Sequence, residues 1–498
     1  MIHKYSKILG IIIGGTLLDP GVVLSQDHKL NILLFTADDL DRNSLGCYGS
    51  KVPDISPNID SFASQGVRFN HAFINASISV PSRGILATGL YGHNSGVMGF
   101  MKMSEGSKIP LIMEILREKG YQVGILGKVS HSTPKSDFVW DYVFDQKQLG
   151  DGRSPSIYYE RAKVFFQNCR EQNLPFYFMV NSHDPHRPFF NPGEPVTGGA
   201  ERPSRIYNPD EIEVPGFVPD LPMVGKEMSY YFNSVKRLDD TFGKVMQALE
   251  ECGLKENTLV IFLSDNGIAI PFAKCNTYYA SNRTPWIVRW PGVIRPGSVD
   301  DKHYISEVDF LPTILEAASI QLPGRLDGTS HLALYKEERM KRDNFIFSQI
   351  DYKAGGGPVP MRSVQNSDFI YIFNAWADGE RVYANNNEGM TMRAMEAAAV
   401  HNPEIENRVK IFRIRKPEEF YNITNDPDCI KDLINNPSFN KQIRAMRKVL
   451  EKWMVKTHDP LVEIYQKRNA PQDMLSEFYK IYPEAKIWDQ NKSNYSLK

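Results

Sequence analysis

The sequence of 498 residues has few of the features that mark several common classes of protein. Its five cysteines, at positions 47, 169, 252, 275 and 429, are scattered, so they form neither the close pairs of a zinc site nor a dense disulfide scaffold. The formal net charge is only -1, so no overall field attracts nucleic acid or an anionic membrane. We therefore expect no nucleic-acid partner, and any bound anion must be held by a local cluster.

The sequence also lacks a hydrophobic run long enough to span a membrane, and the one near the N-terminus is short. Residues 8–18 are mostly apolar, follow a basic start with Lys4 and Lys7, and precede a small-residue cleavage site near Ser25. The run is too short to span a bilayer, and no cysteine near Ser25 suggests a lipid anchor. We predict a signal peptide over residues 1–25 and an exported protein, periplasmic or secreted, without a membrane span after cleavage. A buried N-terminal strand or helix is the alternative.

What the chain does have is a hydrophobic content of 42%, enough for a sizeable core in two or three domains. Four apolar runs stop abruptly at polar or ionisable residues; they are 31–36, 121–126, 176–180 and 259–263. Such runs are typical of strands buried on both faces of a parallel sheet. Helical patterns at 111–119 and 228–252 lie between them. The fold class is therefore α/β, a sandwich with a mostly parallel central sheet.

The pattern changes near residue 358. Shorter strand-like pieces follow at 369–373 and 409–413, and a helical pattern covers 439–455. We predict a larger α/β domain over residues 26–357 and a smaller α+β domain with an antiparallel sheet over residues 358–498. In open α/β sheets ligands bind at the carboxyl ends of the strands, so the polar residues after the four apolar runs should face one crevice.

Two of these strand ends carry oxygen ligands. Asp38 and Asp39 follow the first run, and Asp265 and Asn266 follow the last. Carboxylate and amide oxygens are the donors that a hard cation such as Ca²⁺ prefers. Capping of the strand ends is the alternative for either pair alone. Two pairs on one sheet favour a metal site.

The segment 79–89 suggests an anion site at the start of a helix. Pro81 and Ser82 stand where a helix would begin, with Ser79 just ahead, so free backbone N–H groups could hold an anion there. Arg83 would add a forked donor. The alternative is that Ser79 and Ser82 only cap the helix.

Further cationic or proton-transferring side chains are predicted on loops after strands: Lys128, His131, His183, His186 and Lys274. Positive charge beside a metal suits a substrate with a multiply charged oxyanion head group. Each histidine alone is equally compatible with a surface or structural role. Zinc at the two neighbouring histidines of residues 183–186 is disfavoured, because no third soft ligand recurs nearby.

Residues 79–83, together with Thr88 and Gly89, resemble the signature of the type I sulfatases, in which a cysteine or serine at the first position is oxidised to formylglycine. Residues 37–39, 127–128, 183–186 and 264–267 resemble further motifs of this family, in the same order. The resemblance implies an alkaline-phosphatase-like fold and sulfatase activity. It also implies Ca²⁺ and a formylglycine derived from Ser79 as cofactors.

The resemblance assigns roles to the candidate residues. It implies catalytic residues at Ser79, Arg83, Lys128, His131, His183 and Lys274, metal ligands at Asp38, Asp39, Ser79, Asp265 and Asn266, and substrate contacts at His93, His186 and Arg362. Within these roles, His183 is the expected proton donor to the leaving group. His131 is expected to take the proton whose removal expels sulfate.

Within the family the chain most resembles the sulfamidases, which hydrolyse N-sulfoglucosamine in heparan sulfate. The shared segments are 183–187, 207–210, 214–219, 264–268, 360–365 and 457–460. The implied substrate is therefore a sulfated saccharide of the heparin or heparan sulfate type, and the resemblance leaves room for a homodimer.

Three positions depart from the sulfamidase pattern. Ser79 replaces cysteine, which implies maturation by an anaerobic, radical-type formylglycine-generating enzyme. His131 follows Lys128 by three positions instead of the commoner two. Lys274 stands where sulfamidases often have arginine, which weakens the expectation of a nitrogen-linked sulfate.

Three other functions remain open from the sequence. The first is an O-sulfatase acting on a glycosaminoglycan or mucin sugar. The others are a phosphodiesterase of the same fold, in which an unmodified Ser79 attacks phosphorus, and a non-catalytic protein that binds sulfated glycans. Because the set of catalytic residues is complete, the sequence favours an enzyme over a non-catalytic glycan-binding protein.

Overall fold

The computed structural model describes residues 29–340, 344–385 and 387–486. The predicted signal peptide, residues 1–25, lies outside the described residues. Within the described ranges, no helix combines the length and apolar character needed to cross a membrane. All five cysteines are free thiols.

An eight-stranded mixed sheet forms the larger part of the molecule, in the order β4-β3-β5-β1-β6-β7-β2-β8. Its strands are β1 (Asn31–Asp38), β2 (Val67–Phe73), β3 (Gln122–Leu126), β4 (Tyr142–Phe144), β5 (Phe176–Pro185), β6 (Thr258–Ser264), β7 (Trp286–Arg289) and β8 (Ser298–Ser306). The four apolar runs are the neighbouring strands β3, β5, β1 and β6, all mutually parallel. Only the pairs that β7 makes with β6 and β2 are antiparallel. The predicted mostly parallel central sheet is therefore confirmed.

Helices cover this sheet, and every residue of β1, β5 and β6 is buried. The helices of this part are α1 (Pro57–Ala63), α2 (Ser79–Thr88), α3 (Gly92–Ser95), α4 (Ile112–Glu118), α5 (Val129–Ser132), α6 (Pro155–Glu171), α7 (Pro222–Glu251), α8 (Tyr279–Asn282), α9 (Phe310–Ala317) and α10 (Leu332–Tyr335). The two predicted helices correspond to α4 and α7. Helix α7 begins before the predicted residue 228, with Pro222 in its first turn, a position where the missing N–H of proline costs nothing.

A second, four-stranded antiparallel sheet has the order β12-β11-β10-β9. Its strands are β9 (Ile346–Tyr352), β10 (Pro358–Gln365), β11 (Phe369–Asn374) and β12 (Glu418–Asn422). The remaining helices are α11 (Gly389–Ala399), α12 (Pro403–Arg413), α13 (Asn440–Thr457), α14 (Val462–Gln466) and α15 (Pro471–Ile481). The predicted strand at 369–373 is β11, and the helix predicted at 439–455 is α13. Strand β9 precedes residue 358, and the division into domains at that position stays a prediction.

The strand predicted at 409–413 is wrong, because this segment is the last part of helix α12. The side chain of Asn402 caps the helix by accepting from the backbone N–H groups of Glu404 and Ile405, and Pro403 occupies its first turn. Ile405, Val409 and Phe412 are buried at the three- and four-residue steps of a helix face. A window of five residues is too short to distinguish this spacing from a strand.

The two sheets share one hydrophobic core. Leu33 and Phe35 of β1 belong to the same buried cluster as Phe373 of β11 and Phe420 of β12. Polar contacts join the same parts, since the hydroxyl of Tyr278 donates to Glu419 Oε2 at 2.9 Å. The antiparallel sheet therefore packs directly against the segment that follows β6.

Candidate active site

The pairing of β1 with its two neighbours brings the polar strand ends together. Thr36 of β1 lies beside Asn181 of β5, and Ala37 lies beside Ser264 of β6. The next residues along each chain are the predicted ligands and histidines, so they leave the sheet at a common edge.

Three carboxylates form the centre of this cluster. Asp38, Asp39 and Asp265 are completely buried, and one oxygen of each lies within 4.8 Å of the others. The side-chain amide of Asn266 donates to Asp39 Oδ1 at 2.6 Å, while its Oδ1 lies 3.4 Å from Ser79 Oγ. Carboxylate oxygens are the ligand atoms that Ca²⁺ prefers. Oδ2 of Asp39 accepts no hydrogen bond from the described residues, and such a buried oxygen fits a cation ligand.

Ser79 is the first residue of helix α2, two positions earlier than the sequence predicts. Its hydroxyl donates to Asp38 Oδ1 at 3.1 Å and therefore faces the carboxylates. The hydroxyl of Ser82 donates to the buried carboxyl of Glu307. Neither serine caps the helix, since the capping position is Ile78 and has no side-chain hydrogen bond. The capping alternative is wrong, and the first residue of the helix faces the candidate metal site.

Arg83 lies one turn further along α2 and is completely buried. Its Nε and Nη2 atoms both lie 3.0 Å from Asp265 Oδ2. Its Nη1 donates to Thr36 Oγ1 at 2.9 Å and to Asn181 Oδ1 at 2.5 Å. The guanidinium thus holds Asp265 against strands β1 and β5.

Two lysines neutralise the other carboxylates. Lys128, in the left-handed conformation at φ 50°, forms an ion pair with Asp38 Oδ2, and Lys274 lies 2.5 Å from Asp39 Oδ1. Burial tends to raise the pKa of Asp38, but the charge of Lys128 and other nearby cations keep it well below its usual value. Burial and the negative charge of Asp38 raise the pKa of Asp265 to about 7 in spite of Arg83.

Three histidines surround this centre, and all have lowered pKa values. Burial and the charge of Lys128 lower the pKa of His131 to about 3 and that of His183 well below its usual range. Burial also lowers the pKa of His186, although Asp39 opposes the shift. Nε2 of His183 accepts from the backbone N–H of Lys128 at 3.2 Å, and Nε2 of His186 lies 3.8 Å from Asp39 Oδ2. The lowered pKa values leave the three imidazoles neutral at pH 7.

Two predicted substrate contacts have their described polar partners elsewhere. His93 bonds through Nδ1 to Gln349 Oε1 at 2.8 Å. Arg362 is completely buried, with Nε 2.6 Å from Asp459 Oδ2 and Nη2 2.8 Å from Asp351 Oδ1. None of the hydrogen bonds or ion pairs described for these two residues reaches the Ser79 cluster. A substrate contact at His93 or Arg362 stays a prediction, and for Arg362 the observed contacts are those of a packing residue.

Several supporting residues were missed by the sequence analysis. Thr36 and Asn181 position Arg83, and both are polar residues inside otherwise apolar strands, a signal that could have identified them. Asn276 donates to the carbonyl oxygen of Lys274 at 3.2 Å and accepts from Arg415 Nη1 at 2.5 Å. Arg415 is far away in the sequence and follows a helix, so no local pattern points to it.

The geometry agrees with the comparisons with known proteins. Residues 30–320 match the family model described as "Sulfatase", and residues 270–410 match the one described as "N-sulphoglucosamine sulphohydrolase, C-terminal". The resemblance noted from the motifs is confirmed.

Individual relatives extend this result over most of the chain. The human protein named N-sulphoglucosamine sulphohydrolase is 28% identical, with 93% of this chain and 95% of the relative aligned. An ulvan-active sulfatase of Formosa agariphila is 26% identical, over 88% of this chain and 82% of the relative.

A solved structure shows the same fold. A protein in complex with its substrate D-glucosamine-2-N,6-O-disulfate has a TM-score of 0.64 at 19% identity, covering 86% of this chain and 98% of that chain. This likeness supports the predicted alkaline-phosphatase-like architecture.

Proposed function

The chain belongs to the sulfatase family, and from that premise we propose that it hydrolyses the sulfamate of an N-sulfoglucosamine saccharide. The observation that carries the proposal is the match of residues 270–410 to the C-terminal part of N-sulphoglucosamine sulphohydrolase. That segment includes strands β9 to β11, which lie beyond the motifs shared by all sulfatases. The human relative, aligned over 93% of the chain, supports the same substrate.

The proposed nucleophile is a formylglycine made from Ser79 by a radical-type maturation enzyme. A hydrated aldehyde carries two hydroxyls on one carbon, so one can attack sulfur and the other can later expel the sulfate. Ser79 Oγ lies 3.1 Å from Asp38 Oδ1, which places residue 79 beside the carboxylates. An unmodified serine has only one oxygen and would stay sulfated.

Asp38, Asp39, Asp265 and Asn266 would hold Ca²⁺ together with an oxygen of residue 79. The cation would lower the free energy of developing negative charge on the attacking oxygen. Arg83 keeps Asp265 in place through its two 3.0 Å contacts. Lys128 and Lys274, which neutralise Asp38 and Asp39, are the cations proposed to contact the sulfate oxygens.

Proton transfer is assigned to two histidines. His131 is assigned the role of accepting the proton of the second hydroxyl, and its imidazole is neutral because burial and the charge of Lys128 lower its pKa to about 3. Loss of that proton re-forms the aldehyde, and the bond between the carbon of residue 79 and the sulfate oxygen breaks. His183 has the role of proton donor to the leaving nitrogen, and because its pKa is lowered by burial and Lys128, it must gain its proton when the anionic substrate arrives.

The test is sulfate release from defined monosaccharides. The protein is produced with a serine-type maturation enzyme, and peptide mass must identify formylglycine at residue 79. We expect sulfate from glucosamine N-sulfate but not from glucosamine 6-O-sulfate, and we expect a chelator to abolish it. A Ser79→Ala variant is the matched inactive control. Confirmed formylglycine without release from the N-sulfated sugar would contradict the proposal.

An O-sulfatase is the second candidate, favoured by Lys274. In this position lysine is the residue of general sulfatases, and the ulvan-active sulfatase of Formosa agariphila is 26% identical to the chain. The same assay separates the two functions, since an O-sulfatase would release sulfate only from the 6-O-sulfated sugar or another O-sulfated saccharide. We further propose export of the protein to the periplasm or the medium, on the N-terminal sequence pattern.

A further inference from the structure

Phe100 is the one aromatic side chain that the described part of the molecule leaves exposed. It is 55% accessible, whereas every other phenylalanine, tyrosine and tryptophan in the described ranges is buried or half-buried. A single exposed apolar residue needs no special explanation on an ordinary surface. The position of Phe100 beside the candidate active site sets it apart.

The ring of Phe100 lies against His131. Their ring centroids are 5.5 Å apart at an interplanar angle of 81°, an edge-to-face contact. His131 is on helix α5, three residues after Lys128, whose ammonium pairs with Asp38. Phe100 thus stands at the border between solvent and the cluster of charged groups.

The loop that carries Phe100 is fixed on both sides. Lys102 Nζ donates to the carbonyl oxygen of Thr133 at 2.6 Å, and the backbone N–H of Met103 donates to that of Pro134 at 3.0 Å. On the other side Gly99 packs so closely on Tyr352 of β9 that an added Cβ would lie 2.9 Å from the Cβ of the tyrosine. The backbone that carries Phe100 is therefore held in place before any ligand binds, which lowers the entropic cost of binding to its ring.

We propose that Phe100 is a platform on which a sugar ring of the substrate lies while its sulfate occupies the charged cluster. The inference rests on the proposed function and specifies the substrate as a sulfated pyranose. A pyranose presents C–H groups on its faces. Their transfer out of water is favourable in free energy, and they are attracted to the negative face of an aromatic ring. Saccharide and cofactor sites commonly join such an apolar surface to a few polar groups that fix orientation.

Kinetics of variants at position 100 test the platform. With the substrate that the wild type hydrolyses, Phe100→Ala should raise KM about tenfold and change kcat little, corresponding to roughly 1.4 kcal/mol of binding. Phe100→Tyr keeps the ring and should retain most of the affinity. Val455→Ala is the matched control, because Val455 on α13 is also 55% exposed, and its kinetics should equal those of the wild type.

Inhibition constants distinguish two roles of Phe100, binding of the sugar ring and structural support of His131. Inorganic sulfate needs only the charged cluster, so its inhibition constant should be the same in Phe100→Ala and wild type. Glucosamine without sulfate needs the platform, and its inhibition constant should rise about tenfold. A fall in kcat alone, or an equal rise of both constants, would overturn the proposal.

Binding without turnover keeps this test separate from that of the proposed function. In a Ser79→Ala background, calorimetric titration with glucosamine N-sulfate and glucosamine 6-O-sulfate measures affinity whatever the catalytic specificity. Weaker binding of either sugar after Phe100→Ala supports the platform even if the N-sulfated sugar is not hydrolysed. Equal affinities with and without the Phe100 ring would contradict the platform proposal, even if glucosamine N-sulfate is hydrolysed.

Discussion

Arg415 reaches from the segment before β12 to Asn276, two residues after Lys274, and donates to its Oδ1 at 2.5 Å. Asn276 in turn donates to the carbonyl oxygen of Lys274 at 3.2 Å. The backbone of Asn276 also donates to Ser77 Oγ at 3.1 Å, two residues before Ser79. The antiparallel sheet thus fixes the loop of Lys274 relative to the candidate nucleophile.

We expect Asn276→Ala to lower kcat/KM about tenfold, because the loop of Lys274 loses its tie to Arg415. The free energy of unfolding should fall by about 1–3 kcal/mol, since the variant leaves a buried donor of Arg415 without its partner. Sulfate release and urea unfolding measure the two effects. Asn58→Ala is the control, because it removes a 2.9 Å bond to Asp239 outside this loop. Equal kcat/KM in both variants would contradict the role of Asn276.

Arg83→Lys should cost about 2–4 kcal/mol of stability although it keeps the positive charge. A lysine ammonium cannot replace the fork that meets Asp265, Thr36 and Asn181 at once, and completely buried groups would lose their partners. Urea unfolding at pH 7 measures the cost. Arg295→Lys is the control, since its ion pair with Glu337 is exposed and should be worth less than about 1 kcal/mol. Similar costs for the two substitutions would show that the fork at Arg83 is not needed.

Much of this site was predictable because its residues directly follow apolar runs and stand at or just beyond the ends of strands. The apolar runs define β1, β5 and β6, and parallel pairing then requires that Asp38, His183 and Asp265 leave the sheet at one edge. The local sequence indicates the end of each strand in two ways, by the hydrophobic run and by the polar residue that ends it. The same argument could have been extended two residues inward, from Asp38 to Thr36.

Contacts between distant segments were not predictable in the same way. Arg415 approaches Asn276 only because the antiparallel sheet packs against the chain after β6. Arg362 shows the converse, since a segment shared with sulfamidases suggested a substrate contact, whereas the structure surrounds its guanidinium with Asp351 and Asp459. Side-chain partners of this kind depend on the tertiary packing, which no window of neighbouring residues contains.

Calcium should stabilise the protein against thermal unfolding. Binding at a hundredfold excess over Kd adds about 2.7 kcal/mol to the folded state, and Mg²⁺ should add less because it demands stricter geometry. Differential scanning fluorimetry with and without chelator measures the shift in Tm. Asp39→Asn and Asp265→Asn should each abolish it, whereas Asp54→Asn, at a carboxyl that is 80% exposed, should retain it. An unchanged shift in both site variants would exclude the carboxylate cluster as the calcium site.

His131 should make the folded protein sensitive to acid. Its pKa is about 3 in the folded state against an ordinary 6.5, because burial and Lys128 disfavour the charged form. Between these values the unfolded chain binds a proton that the folded chain does not, so the free energy of unfolding falls as the pH falls below 6.5. Well above pH 6.5 His131 is neutral in both states and no longer lowers the free energy of unfolding.

The comparison with His131→Ala isolates this effect. Going from pH 7.5 to 5.5, the stability of the wild type relative to the variant should fall by about 1 kcal/mol, at a limit of 1.36 kcal/mol per pH unit. Urea unfolding at both values measures it. His401→Ala, at an exposed position after α11, is the control and should show no such change. A pH-independent difference between wild type and His131→Ala would mean that His131 is not held neutral.

Arg362→Met decides between packing and substrate binding at this position. The substitution leaves the buried carboxylates of Asp351 and Asp459 without their guanidinium, which should cost about 3–5 kcal/mol. Burial tends to raise the pKa of Asp459, yet the charge of Arg362 holds it below its usual value, so the carboxylate depends on this partner. We expect a strongly lowered Tm with an unchanged KM for the protein that remains folded at low temperature. A raised KM with an unchanged Tm would instead restore Arg362 as a substrate-binding residue.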